Sequence, residues 1–409
     1  MRSMRGFHQL VILALGVQVL LFWLSRSRDA TLTAFSPARY PLLTKYFIGH
    51  QGEGGVWYLP PEWIQGQSSR VPSTIVEVAE IVRNQTNKPQ IPHSTIPLVM
   101  HQTWKTTNPF FWSEELRRNT EKWLEAVEDA GMAYFLWDDR GVSQFIKYFE
   151  PGLEYGLNAL PRKVEQSDVF RILVAKWVGG VYSDMDTEPL RNPVDWIKES
   201  DREAWDDPAT GVVYDSTAPI QAIVGLEAVC RPDTDQYWRM GYKYPVQLTQ
   251  WSFAWTPDHP ILQRFLDTLA ATLQDVLSNY GGTLESPSAR MELANLDPLT
   301  LTGPAAFTAA VRRWLEGTTG LRWNALAAHA DRSKLVGDVL ILPITGFSPG
   351  RGRYGNMGSK PITDPSARLV HHAQGSWRKT SLLVEYGKFC RTFFGLCRDW
   401  PKVPHNILW

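Results

Sequence analysis

The stretch from Val164 to Asp186, VEQSDVFRILVAKWVGGVYSDMD, constrains the fold more than any other part of the chain. Its first half has helical spacing: Val169, Leu173 and Trp177 fall four apart, with Phe170 and Val174 beside them. Ser167 is the predicted N-cap, and Gly179-Gly180 ends the helix where a left-handed backbone is needed. Val181-Tyr182-Ser183 then reads as a short buried strand that delivers Asp184 and Asp186 at its exit. Residues i and i+2 of a strand point to one side, so both carboxylates face a common point. Two hard anionic oxygens converging there suit Mn²⁺ or Mg²⁺, and such an ion suits a diphosphate. Asp168 and Arg171, three apart, share another face of the helix. The bland alternative is two solvated aspartates and a surface ion pair. The helix, the double glycine and the strand around the D-x-D weigh against it.

With 409 residues there is material for one large domain or two ordinary ones. Apolar content of 44% and charged content of 21% describe a globular chain rather than a disordered one. The 42 basic and 42 acidic residues cancel, which argues against nucleic acid as a bulk partner. Three cysteines make neither a disulfide scaffold nor a metal cluster. Cys390 and Cys397 pair only if the segment between them is irregular; on a continuous helix seven residues span about 10 Å. The 18 tryptophans supply rings of the kind that sugar-handling proteins use as platforms, but most are expected in the core.

The N-terminus reads as a targeting element. Leu10 through Leu24 is almost wholly apolar, with Arg2 and Arg5 before it and Arg26 and Arg28 after it. No small-x-small cleavage site follows, so an uncleaved signal anchor is expected over residues 9–25, behind a tail of residues 1–8. So short a span suits a thin early-secretory or Golgi bilayer. The balanced arginines leave its orientation open. Residues 26–93, rich in Gly, Pro and Ser, read as a stem in which only Ser73 to Arg83 has helical periodicity, as a linker helix. Asn84-Gln85-Thr86 is a glycosylation sequon.

A catalytic domain is expected over residues 94–380. Ile96 to Lys105 is an apolar run of strand length ending in polar residues. Ser113 begins a helix with Leu116, Thr120, Trp123, Leu124 and Val127 on one face and Gly131 after it. Ala133 to Trp137 is the next strand, closed by Asp138-Asp139, and a helix to Phe149 follows. This alternation argues for a mostly parallel α/β sheet with its ligand at the strand exits. Neither G-x-G-x-x-G nor a P-loop is present. Residues 381–409 form a C-terminal extension too charged to hold a membrane span.

The blocks Ser167-Asp168, Arg171, Gly179-Gly180-Val181-Tyr182 and Asp184-Met185-Asp186 resemble the sugar-binding region of D-x-D glycosyltransferases. The resemblance is to the fungal initiation-specific α-1,6-mannosyltransferases and their relatives, glycosyltransferase family 32. It extends from about residue 96 to 380 through His101 to Trp104, Leu136-Trp137-Asp138 and Ile223 to Glu227. It continues through Gln250-Trp251, His259-Pro260, Thr302-Gly303-Pro304 and His371 to Lys379.

The resemblance implies a GT-A-type fold, a Rossmann-like mixed sheet flanked by helices, behind an N-terminal transmembrane helix. It implies a single-pass type II Golgi membrane protein with a lumenal catalytic domain. The donor would be GDP-mannose, the ion Mn²⁺ with Mg²⁺ as alternative, and the acceptor a high-mannose N-glycan. Transfer would be α-1,6 and retaining, and membership of a mannosyltransferase complex is also implied. Asp184 and Asp186 would hold the metal, with His372 as third ligand and His371 as the runner-up. Asp168 and Arg171 would bind sugar hydroxyls or ribose; His101, Gln102, Trp104 and Tyr182 would line the donor pocket. Glu227 is a candidate for touching the acceptor, and no carboxylate is singled out as a nucleophile. Two alternatives are an inositol phosphoceramide mannosyltransferase and a non-catalytic lectin-like relative.

Overall fold

Strands apolar on both faces belong at the centre of a parallel sheet. Val99–Thr103 (β2) and Ala133–Trp137 (β3) are of this kind, and in the computed structural model they pair in parallel, His101 opposite Phe135. The structure describes residues 35–63, 71–351, 357–373 and 381–400. The expected anchor at Leu10–Leu24 and the end of the closing block, Gln374 to Lys379, lie outside these residues. Among the described residues no helix is long and apolar enough to cross a membrane.

The sheet has nine strands. With β1 (Gly55–Tyr58), β4 (Gly180–Ser183), β8 (Ala222–Val229), β10 (Ser252–Trp255), β11 (Lys334–Val336) and β12 (Val339–Leu342), its order is β1-β3-β2-β4-β10-β8-β12-β11. The ninth, β9 (Val246–Leu248), pairs with β8. Strands β3, β2 and β4 run parallel, as do β8 and β12. The mostly parallel expectation needs correcting, because β10 lies antiparallel between β4 and β8, and β1, β9 and β11 are antiparallel too. The chain comes back from β8 through β9 and β10 with no crossover helix, and only antiparallel pairs permit so short a return. The parallel strands β2, β4, β8 and β12 all exit at one edge. Two ribbons lie apart: β5 (Thr187–Pro189) with β13 (Leu369–His371), and β6 (Trp205–Asp206) with β7 (Val213–Tyr214).

The flanking helices follow their sequence signals. Ser113 Oγ accepts from Leu116 N at 3.3 Å and opens the helix Glu114–Asp129, whose Leu116, Thr120, Trp123, Leu124 and Val127 are buried. Gly131, at φ +60°, stops it. The helix Lys163–Trp177 starts four residues before the expected Ser167 cap. Glu165 reaches back to accept from Arg162 N at 2.9 Å, while Ser167 Oγ only donates to Lys163 O within the helix.

The expected stem is in large part body. The helix Pro41–Phe47 packs on the helix Glu114–Asp129, with Leu42 N and Leu43 N donating to the Glu121 carboxylate at 2.7 and 2.9 Å. Strand β1 extends the main sheet along β3, Val56 opposite Leu136. The helix Ile75–Asn84 buries Ile75, Val76, Val78, Ala79 and Val82 and is no free linker. Seven tryptophans, Trp63, Trp112, Trp123, Trp137, Trp196, Trp255 and Trp323, lie in the core. The chain around Cys390–Phe394 is a π turn ended by Gly395 in the left-handed region, and this irregular path closes a disulfide between Cys390 and Cys397.

Candidate active site

The site is built where β4 leaves the sheet. Gly179 and Gly180 have φ of +75° and +97°, and a Cβ at Gly180 would lie 2.4 Å from the Val99 carbonyl oxygen. Glycine is therefore required for the helix Lys163–Trp177 to turn straight into β4 beside β2. His101 fastens this turn. Trp137 Nε1 donates to its Nδ1 at 3.3 Å, which leaves Nε2–H to donate to Gly179 O at 3.0 Å. Burial pushes the imidazole pKa down to about 3, so the ring is neutral.

The helix carries two buried groups inward. Arg171 Nη2 lies 3.3 Å from Asp168 Oδ1 and 3.2 Å from Asp184 Oδ1, and Nη1 donates to Gln250 O at 3.2 Å. Thr302 Oγ1 donates to Asp168 Oδ2 at 3.2 Å, and Tyr182 Oη donates to Asp184 Oδ1 at 2.9 Å. Burial raises the Asp168 carboxyl to about 7, opposed by Arg171 and assisted by the charge of Asp184. Asp184 is raised as well, by burial first and against Arg171. Burial works against the Arg171 charge, but Asp184, Tyr182 and Asp168 outweigh it and raise its pKa. Tyr182 is pushed far up by burial and by Asp184.

Asp184 and Asp186 converge, though not by strand alternation. Strand β4 ends at Ser183, and Asp184 to Thr187 form a turn in which Thr187 N and Oγ1 donate to Asp184 O at 3.1 and 2.6 Å. The turn is held from outside by Trp251 O, which accepts from Asp184 N at 2.9 Å, and by His372 N, which donates to Asp186 O at 2.8 Å. The ribbon β5–β13 sets His371 opposite Thr187. Nε2 of His371 is 3.2 Å from Asp186 Oδ1, and one donor atom each from Asp184, Asp186 and His371 fall within 4.8 Å of one another. Two carboxylate oxygens and one imidazole nitrogen are a donor set that fits Mn²⁺.

His372 sits elsewhere, which corrects the expected third partner of the aspartates. Its Nδ1 is 3.4 Å from Glu115 Oε1 and its Nε2 is 3.3 Å from Glu188 Oε2, while Glu188 Oε1 pairs with Lys122. His371 ends β13 and His372 lies just past it, the first with Nε2 3.2 Å from Asp186 and the second turned to Glu115 and Glu188, so only His371 faces the aspartates. Three further expectations change. His101 and Gln102 are fully enclosed in the central strand and cannot line an open pocket. Gln102 accepts from Tyr134 Oη at 2.8 Å and donates to Asp184 O at 3.4 Å, so it braces the turn from beneath. Tyr182 on β4 is enclosed as well and does not line an open pocket either, so Trp104, half-buried just past β2, is the accessible one of the four. Glu227, on β8, accepts from Gln247 Nε2 at 2.9 Å.

Trp251, Gln250, Thr302, Glu115 and Glu188 contribute contacts that no sequence role foretold. Gln250-Trp251 and Thr302 stand in matched blocks, which was the available signal; Glu115 and Glu188 carry none.

Two acidic oxygens and a histidine nitrogen beside a buried arginine, where β4 leaves the sheet, form a set that a nucleotide-sugar transferase can use. The chain matches the model of the glycosyltransferase sugar-binding region containing the DXD motif over residues 113–203. It is 31% identical over 305 residues to the initiation-specific alpha-1,6-mannosyltransferase of Schizosaccharomyces pombe, covering 73% of this chain and 68% of that one. The initiation-specific alpha-1,6-mannosyltransferase of Candida albicans is 28% identical over 56% of this chain and 57% of its own length. Inositol phosphoceramide mannosyltransferase 3 of S. pombe is 27% identical, over only 26% of this chain and 30% of its own. The chain belongs to the initiation-specific α-1,6-mannosyltransferase family.

Proposed function

We propose that this enzyme transfers mannose from GDP-mannose to a high-mannose N-glycan in α-1,6 linkage, with retention and with Mn²⁺, from a GT-A-type catalytic domain. The observation that carries the reading is the convergence of Asp184, Asp186 and His371 beside the buried Asp168–Arg171 pair. Bound there, a divalent ion would offset the charge of the donor diphosphate and of the leaving nucleotide. Arg171, charged and locked by Asp184, Asp168 and Gln250 O, presents a fixed positive end toward the same space. Asp168 accepts from Thr302 and would accept from a sugar or ribose hydroxyl of the donor. Tyr182 holds Asp184 in orientation from the strand. Trp104 offers its ring as a wall of the donor pocket.

A lumenal, membrane-anchored placement in the Golgi is part of the proposal. The apolar run Leu10–Leu24, the Cys390–Cys397 disulfide and an exposed sequon at Asn84 support it. The N-glycan acceptor is favoured over inositol phosphoceramide by the greater length of the match to the first class of relative.

The purified protein should be offered a panel of nucleotide sugars with Mn²⁺, separately on high-mannose glycan and on inositol phosphoceramide. Transfer from GDP-mannose to the glycan, with an α-1,6 product, is the expected outcome. Transfer only to the lipid, or only from another nucleotide sugar, would overturn the assignment of acceptor or donor.

A further inference from the structure

The two residues Gln250-Trp251, between β9 and β10, touch three parts of the site at once. Both flanking strands pair with β8, and the short interruption between them turns its carbonyls toward the turn after β4. Trp251 O accepts from Asp184 N at 2.9 Å, and Gln250 O accepts from Arg171 Nη1 at 3.2 Å. The indole of Trp251 lies on the imidazole of His371, with centroids 4.3 Å apart and planes 17° from parallel. His371 closes a three-residue strand, so the β5–β13 register fixes its backbone but not the rotation of its ring. Among the described residues, Trp251 supplies its one aromatic ring contact.

We infer that Trp251 is a positioning residue for the metal site, its indole holding the His371 ring edge-on to Asp184 and Asp186. The inference rests on the reading of those three residues as ligands. Stacking fixes the imidazole plane and leaves both ring nitrogens free at the edge, as a ligand needs. The same residue also ties down the Asp184 peptide, so two of the three donors are set by one side chain and its carbonyl. A purely structural role is the competing account, since Trp251 also meets Phe347 with centroids 6.3 Å apart.

Mn²⁺ affinity of the full chain, titrated by electron paramagnetic resonance without donor sugar, separates the two accounts. Loss of an offset stack corresponds to about two- to tenfold in an equilibrium constant. Trp251→Leu should therefore weaken Mn²⁺ by about that factor, while Trp251→Phe stays within about twofold of wild type. In His371→Ala the stack has nothing left to orient, so adding Trp251→Leu should weaken binding no further. Unchanged affinity in Trp251→Leu would overturn the inference, and so would losses that multiply in the double variant. If Trp251→Leu fails to fold, Trp251→Tyr against Trp251→Met makes the same comparison of ring with bulk. Asp186→Ala is the control for the underlying reading. Mn²⁺ binding that survives Asp186→Ala would dismiss the metal site itself, a result distinct from any failure of Trp251.

Discussion

Asp168 is where burial and charge pull one carboxyl in opposite directions. Its pKa of about 7, raised from an ordinary 3.8, gives a signed consequence for the metal-free protein. Between about pH 4 and 7 the folded state holds a proton on this group that the unfolded state has released. Its contribution to stability is therefore greatest at low pH and is lost as pH rises through that window. Asp168→Asn removes the penalty. In chelator at pH 8 the variant should melt higher than wild type, and the difference should shrink toward pH 4. It should also lose nearly all transfer, because an amide offers one acceptor oxygen and no charge. A variant that melts lower than wild type at both pH values would show that the Arg171 pairing outweighs the burial. At this scale the sequence shows residue type and spacing. Asp168 and Arg171 were legible because chemistry and helical period agreed, whereas Asp184 and Asp186 were legible by residue type at a strand exit, although a turn and not strand alternation brings them together. His101 and Gln102 were not: a polar pair ending a strand looks the same whether it faces a ligand or holds up the turn that does. The choice between His371 and His372 needed the register of a three-residue ribbon, which has no periodicity to read.

The double glycine fixes how one element passes to the next. Gly180→Ala would combine a left-handed backbone with a Cβ against the Val99 carbonyl, a backbone atom that cannot swing aside. The expected cost is about 3 kcal/mol or more of stability, read by denaturant unfolding. Gly211→Ala, also left-handed but in open space, should cost about 1 kcal/mol. Equal losses at the two positions would mean that the close approach to β2 is not what Gly180 serves. Among elements, the long amphipathic helix Glu114–Asp129 and the apolar strand β3 were readable almost to the residue. Strand β1 was not. Its four residues lie between glycines and prolines, and only the exposed edge of β3 gives them a reason to be extended. The antiparallel course of β10 was equally hidden, since a short buried strand has one composition in either direction.

For the whole molecule, the stretch expected as a stem packs on the body from residue 35, the first residue described. A chain lacking residues 1–34 keeps the helix Pro41–Phe47 and β1. It should be soluble, active and unchanged in melting temperature once the apolar Leu10–Leu24 run is gone. Removing residues 1–60 strips β1 from β3 and leaves the Glu121 carboxylate without the Leu42 and Leu43 amides. That chain should aggregate or lose its cooperative transition, as size-exclusion chromatography and melting curves would show. A stable, active protein from the shorter chain would restore the plain stem.

The central claim is that transfer depends on a divalent ion held by Asp184, Asp186 and His371. The most direct test is the Mn²⁺ activation curve of chelator-stripped enzyme, for wild type beside His371→Ala and His372→Ala. Wild type should be inactive in chelator and regain full transfer on adding Mn²⁺. His371→Ala should need about tenfold or more Mn²⁺ for half activation, on the scale of lost metal-site contacts. His372→Ala, which loses only the contacts to Glu115 and Glu188, should keep the wild-type midpoint. Full turnover in chelator, or a midpoint that moves with His372 and not with His371, would contradict the account.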